Sequence, residues 1–395
     1  MCPLCPANAT TSGNKLSPVS KIKQEFFKPM PHRPLIIDAH QDLAYNMLAF
    51  DRDYRRTVAE TRQQEEGSLA VRENGQTLLG WDAYQQGRVA IVFATLFVTP
   101  IRYKEGDWDT ICYTDTADAR RFYKQQLEAY QRLWEEAPDQ FSLVSTKSEM
   151  QNVLAPWQAT PDEEHPVGMV LLMEGAESIG QVDELKEWWD AGLRLIGPAW
   201  AGTRFCGGSR EPGPLTREGY ELLDGMAELG YGLDLSHMDQ QAALQALDHY
   251  EGHLMATHAN AGALLKGADT NRHLPDSVID GILQREGVIG IVPYNVFLQA
   301  SWKRGDAREL VPLSKVVEQI DYVCQMAGDA RHVGIGTDFD GGFGLDAVPE
   351  GIDSIADLQK LPPLLQEKGF TDEDITAILG GNWLRMLENI LPENQ

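Results

Sequence analysis

Short, continuous apolar runs recur along the chain, each followed by a stretch with helical spacing. Eight runs read as strands: 35–42, 89–98, 167–173, 193–199, 232–236, 254–257, 288–294 and 333–336. Between and after them, helical periodicity covers 114–137, 184–191, 215–229, 240–249, 277–285, 313–327, 356–366 and 372–387. In 114–137 the spacing of Phe122, Leu127, Tyr130, Leu133 and Trp134 marks a packing face rather than a cofactor box. Residues 51–86 are polar and charged and read as helix and loop, while the Gly- and Pro-rich stretch 202–214 reads as a non-regular loop able to overhang a site.

The strand runs are apolar throughout rather than half-polar, which predicts a parallel sheet covered on both faces. Eight β/α units over roughly 350 residues suit a (β/α)8 TIM barrel of the α/β class, with insertions. A doubly wound sheet is the alternative. Its usual Gly-x-Gly-x-x-Gly turn after the first strand is missing, because Ala39-His40-Gln41-Asp42-Leu43 stands there. Residues 1–33, rich in Pro, Asn, Ser, Thr and Lys, read as a flexible lead-in with one short basic helix, and 34–395 as a single barrel domain.

Composition narrows the function classes. Of 395 residues, 43% are apolar and 24% charged, enough for a large core. The net charge of −25 opposes nucleic acid and anionic membrane surfaces, and suits cation-bearing or metal-assisted chemistry. Five cysteines are too few for a disulfide framework, and the pair Cys2-x-x-Cys5 has no second pair at zinc-ribbon spacing. With no signal-like or membrane-spanning apolar run, the expectation is a cytoplasmic protein without a membrane partner.

The ends of the strand runs carry the candidate chemistry. His40 and Asp42 follow the first, Glu174 the third, His237 the fifth, His258 the sixth and Asp338 the eighth. His40 and Asp42, two apart on an extended strand, share one face. In a barrel all six residues lie on the C-terminal rim. Their number and types fit two divalent ions: His40 and Asp42 at the first, His237 and His258 at the second, and Glu174 bridging. Asp42, Glu174, Asp338 and a hydroxide balance the charge of two such ions. Imidazole and carboxylate without thiolate point to two Zn2+, with Mn2+ or Co2+ tolerable. Asp338 is then free to act as general base and acid. The remaining histidines, 32, 165, 249, 253, 273 and 332, are assigned no metal. A calcium loop starting at Asp338 fails, since its fifth and twelfth positions fall on Gly342 and Pro349; Asp340 more plainly orders the turn below Asp338.

Together His40-x-Asp42, Met173-Glu174-Gly175, Asp234-Leu235-Ser236-His237, Thr257-His258-Ala259-Asn260, Arg272-His273-Leu274-Pro275-Asp276 and Gly336-Thr337-Asp338-Phe339-Asp340-Gly341 resemble the membrane (renal) dipeptidase family of zinc peptidases, in the same order and over about residues 35–390. The resemblance implies a metal-dependent barrel that cleaves dipeptides, often with a D-residue in the C-terminal position, and a homodimer. It further implies that Arg272 grips the free carboxylate of the substrate and that Tyr294 supports it; a guanidinium fork suits a carboxylate. On this reading a hydroxide between the ions attacks the peptide carbonyl, and Asp338 carries the proton to the leaving amine.

The chain departs from the family pattern in two places. The histidine common after the fourth strand is missing from 197–204, so Arg204, another loop group or the metal alone holds the developing oxyanion. The mammalian relatives are secreted and lipid-anchored, and neither signal is legible here. Alternative tasks for the same site are hydrolysis of N-acyl amino acids or lactones, a nuclease disfavoured by charge, and a non-enzymatic peptide- or metal-binding barrel.

Overall fold

The computed structural model describes residues 33–161, 163–268 and 270–394. The expected lead-in and the Cys2-x-x-Cys5 pair therefore lie, apart from Arg33, outside the described residues. Eight parallel strands form the core: β1 (Ile36–Gln41), β2 (Val89–Phe97), β3 (Val167–Glu174), β4 (Leu193–Gly197), β5 (Gly232–Asp234), β6 (Leu254–Met255), β7 (Ile289–Ile291) and β8 (Val333–Ile335). Their hydrogen-bonded order is β6-β5-β4-β3-β2-β1-β8-β7. A parallel bridge between Ala256 and Ile289 joins the two ends of this path and makes it a ring. This is the (β/α)8 barrel expected from the apolar runs.

The longest strands hold the register. β2 and β3 pair continuously from Ile91 opposite Gly168 to Phe97 opposite Glu174, so the rim carboxylate is fixed by seven matched positions. Eight of the nine β2 residues are buried, each large apolar side chain contributing about 1.5–3 kcal/mol. Helices cover the outside, among them α1 (Thr116–Glu136), capped by Asp115, and α2 (Arg217–Leu229), capped by Thr216. Within the ring, two glycines allow backbone to approach backbone. A Cβ on Gly290 or Gly336 would stand 1.9 or 1.8 Å from the Thr257 carbonyl oxygen, so neither position admits a side chain.

Three local outcomes differ from the pattern reading. The stretch 202–214 is not irregular: Cys206–Gly208 and Glu211–Leu215 form an antiparallel hairpin. Its glycines are the reason, since a Cβ on Gly207 would meet the Gly213 backbone nitrogen at 2.1 Å. An additional strand, Phe141–Leu143, pairs with the first half of β3, and the helix Lys147–Ala159 follows it. Finally, β5 and β6 stop short of 236 and 257 because the chain turns there; His237 has φ +65°.

Two excursions rise over the C-terminal rim. One follows β2, where Thr99–Pro100 pairs with Cys112–Tyr113; the other is the hairpin after β4. Arg102 clamps them together with two 2.7 Å bonds to the Glu211 carboxylate, which also accepts from Tyr103 Oη at 3.1 Å. No helix among the described residues is long and apolar enough to cross a membrane.

Candidate metal centre

His40 and Glu174 sit within the last two positions of β1 and β3, and Asp42, His237, His258 and Asp338 lie in the turns just beyond their strands. The ring of strands brings all six to one mouth. Glu174 is central: Oε2 lies 3.8 Å from His40 Nε2, while Oε1 lies 3.0 Å from His237 Nε2 and 3.5 Å from His258 Nε2. His40 Nε2 is also 3.8 Å from Asp42 Oδ2 and 3.9 Å from Asp338 Oδ1. Two overlapping groups therefore share one carboxylate, His40–Asp42–Glu174 and Glu174–His237–His258. Among the described residues, histidines 165, 249, 253, 273 and 332 join no such group.

The donor atoms fit metal ions. Asp42 Oδ1 and Glu174 Oε1 are buried without a hydrogen-bond partner, a cost that convergent cations would remove. The Nε2 atoms of His237 and His258 face one another at 3.0 Å. Burial pushes Glu174 well above the usual carboxylate range, with repulsion from Asp42 and Asp338 adding to it and His40 opposing it. Burial likewise raises Asp338 to about 7 against the pull of His40. For His40 burial works downward, but Glu174, Asp42 and Asp338 outweigh it and lift the imidazole to about 10. Burial holds His237 and His258 well below their ordinary value, helped by the Arg272 and His40 charges. Three carboxylates thus gather beside the neutral imidazoles of His237 and His258 and draw positive charge to the centre, as the raised His40 shows, and such a centre suits a divalent cation.

An outer layer orients these groups. Asp234 accepts from Ser236 N, Thr257 N and Thr257 Oγ1, and that hydroxyl lies 3.0 Å from His258 Nδ1. Asp234 also stands near His40 and His258, but its oxygens are taken by these three donors. On the other side Ser209 Oγ is 3.0 Å from His237 Nδ1. Asp38, two residues before His40 on the same face of β1, accepts from Thr337 N and Oγ1 at 2.6 Å and ties β1 to the segment carrying Asp338. Asp338 and Asp340 both have left-handed backbone, φ +57° and +64°, a strained state for residues with a side chain. What holds it is the buried Asp340 carboxylate, which accepts from Arg52, Tyr54, Thr77 and the Leu78 amide.

The cleft above the cluster has a volume of about 480 Å3. Arg272 and Tyr294 both line it. Arg272 is 7% exposed and its guanidinium donates one bond, 2.7 Å to the His258 carbonyl; its Nε and Nη1 have no hydrogen-bond partner. Tyr294 stacks on Phe343 with ring centres 4.1 Å apart. Arg204 is elsewhere: it is not part of the cleft wall, donates to the Ile179 carbonyl and lies 3.8 and 3.5 Å from Glu177 and Glu218. Of the three alternatives for the oxyanion, Arg204, another loop group or the metal alone, the structure does not favour Arg204, because these partners hold its guanidinium away from the cleft wall. Lining residues that the pattern reading missed are Ser209, Arg210 and Asp109. They come from the two excursions, where no periodicity signals position; Asp38 was recoverable from its two-residue spacing to His40.

A cluster of buried carboxylates and imidazoles on the C-terminal rim of a (β/α)8 barrel has the donor set of a metal-dependent hydrolase site. Comparison with known proteins narrows the class. The chain belongs to the membrane dipeptidase family, peptidase family M19, whose family model matches residues 24–393. It is a metal-dependent enzyme of that family, a dipeptidase. An uncharacterised protein of Klebsiella pneumoniae from the pqqA 5' region is 33% identical over 238 residues, 58% of this chain and 84% of that one. An uncharacterised dipeptidase of Schizosaccharomyces pombe is 25% identical over 387 residues, 93% and 83% of the two chains. Among solved structures, the metallopeptidase dipeptidase AC aligns with a TM-score of 0.73 at 23% identity, over 91% of this chain and 99% of that one. A metallopeptidase of Rhodobacter sphaeroides, solved with a phosphinate mimic of L-Ala-D-Ala, has the same TM-score at 22% identity, over 91% and 100%. These two likenesses establish the fold.

Proposed function

We propose that the chain hydrolyses the peptide bond of dipeptides, L,D-dipeptides among them, with two zinc ions held by His40, Asp42, Glu174, His237 and His258. The observation that carries this reading is the placement of the two Glu174 oxygens, one toward His40 and the other toward His237 and His258. Zinc ions held there would supply Lewis acidity toward the carbonyl and lower the pKa of a water. The chain's own groups do the rest.

Arg272 receives the free carboxylate on its unpartnered Nε and Nη1, fixing the substrate end and turning binding into orientation. Tyr294 supports that end of the cleft. Asp338 takes the proton of the nucleophile and returns it to the leaving amine; a carboxyl lifted to about 7 by burial can hold a proton near neutral pH. The L,D preference is supported by the named ligand of the Rhodobacter sphaeroides relative alone. A cytoplasmic location belongs to the same reading, supported by the free thiols Cys112, Cys206 and Cys324; a homodimer is carried by the family habit.

The test is product analysis with the zinc-loaded chain on L,L- and L,D-dipeptides beside N-acyl amino acids and lactones. Two free amino acids from unblocked dipeptides support the proposal. Turnover confined to acylated or cyclic compounds would replace it with another amidohydrolase activity.

A further inference from the structure

We propose that the wall formed by the excursion after β2 receives the side chain of the substrate's amino-terminal residue, and that Asp109 gives it a preference for a cationic side chain, lysine or arginine. The inference rests on the dipeptidase reading above and adds the substrate class.

Direction comes from the ring. In the strand order, β2 and β6 are four steps apart by either route, so they stand on opposite sides of the barrel. Arg272 lies in the segment after β6 and Asp109 in the segment after β2, and both line the one cleft that Asp42, Glu174, His237 and Asp338 also line. A dipeptide with its carboxylate on Arg272 and its scissile carbonyl over the cluster sends its first residue toward Asp109.

The wall on that side is aromatic and continuous. The Trp200 ring centre lies 6.2 Å from that of His237, Phe97 follows 5.3 Å from Trp200, and Tyr45 5.8 Å from Phe97. Tyr45 Oη then donates to Asp109 Oδ1 at 3.0 Å. Trp108, stacked on Phe50 at 5.4 Å, lines the same cleft. Aromatic faces attract cations.

Asp109 is 2% exposed, yet it lines the cleft. Its second oxygen accepts only from the Glu105 amide, at 3.4 Å. Among the described residues no lysine, arginine or histidine is within ion-pair distance of it. A buried carboxylate with neutral donors alone is costly, and an incoming cation relieves that cost. Glu105 lines the same cleft. Arg210 opposes these acids, held over Tyr103 and Trp200 at 5.2 and 5.1 Å, but it is exposed and therefore screened. The net charge of −25 draws cations to the mouth.

The experiment compares lysyl-leucine with norleucyl-leucine, which keeps the apolar stem without the charge, on the zinc-loaded full chain. The expected kcat/KM ratio favours lysyl-leucine by about tenfold or more. Asp109→Asn retains an oxygen to accept from Tyr45 and removes the charge, so the ratio should fall toward one. Nε-acetyl-lysyl-leucine on the unmodified chain reads the same charge without a variant and should lose the advantage. Free L-lysine should likewise compete better than L-norleucine. Equal rates for the lysyl and norleucyl compounds, or an unchanged ratio in folded Asp109→Asn, would overturn the subsite while leaving the dipeptidase reading intact. Failure to cleave any dipeptide would remove both.

Discussion

Ser209 Oγ lies 3.0 Å from Nδ1 of His237, across the ring from the Nε2 that faces Glu174. A hydroxyl in that place fixes which imidazole nitrogen is free for the metal. Ser209→Ala should therefore weaken retention of one of the two ions by about tenfold to a hundredfold while the fold persists. Chelator competition followed by metal analysis measures it; an unchanged dissociation profile would remove Ser209 from the support of the site.

Arg272 combines burial with two unpartnered donors. In Arg272→Met, kcat/KM for unblocked dipeptides should fall by about a hundredfold, mainly through KM, the range of a lost charge-assisted pair. Dipeptide amides, which lack the carboxylate, should be affected far less. Thermal stability of the metal-free protein should hold or rise, because a buried charge without an acidic partner is removed.

The Asp338 assignment is tested by Asp338→Asn. The isosteric amide cannot carry the proton, so kcat should drop by about 10²–10⁴. Zinc content should stay at the unmodified level, since the ligand groups retain His40, Asp42, Glu174, His237 and His258. A normal rate would reassign the base.

His273, beside Arg272, provides a pH prediction outside the metal ligands. Burial lowers its imidazole to about 3, with the Arg272 charge contributing. The unfolded chain takes up this proton near pH 6.5 and the folded chain does not, so stability falls as pH drops below about 6.5. At pH 5 the loss from this group is about 2 kcal/mol. In metal-free protein, His273→Gln should show a smaller drop in Tm between pH 7.5 and 5 than the unmodified chain, as read by thermal unfolding. Parallel curves would show that His273 is protonated in the fold.

The barrel was legible because its strands are runs such as 89–98, too uniformly apolar for a surface element and too short for a buried helix. The rim cluster was legible because His40, Glu174, His237, His258 and Asp338 terminate such runs at one end. The hairpin at 206–215 was hidden by its composition: glycine and proline signal a turn locally, while the Gly207–Gly213 contact that pairs the two arms is tertiary. For the same reason Ser209, Arg210 and Asp109 could not be placed. The Arg102–Glu211 clamp joins the two excursions above the mouth, across 109 residues of sequence. Arg204 shows the converse, a residue of suitable chemistry in a suitable segment, turned away by Glu177 and Glu218.

The most direct test of a metal pair shared by Glu174 is zinc stoichiometry followed through chelation and reloading, with dipeptide hydrolysis measured at each stage. The account predicts two ions per chain, loss of hydrolysis on their removal, and recovery on their return. It also predicts that Glu174→Gln, which weakens the bridge to both sites, lowers retention of both ions. Full dipeptidase activity in metal-free protein, or one ion lost and the other held at unmodified affinity in Glu174→Gln, would contradict it.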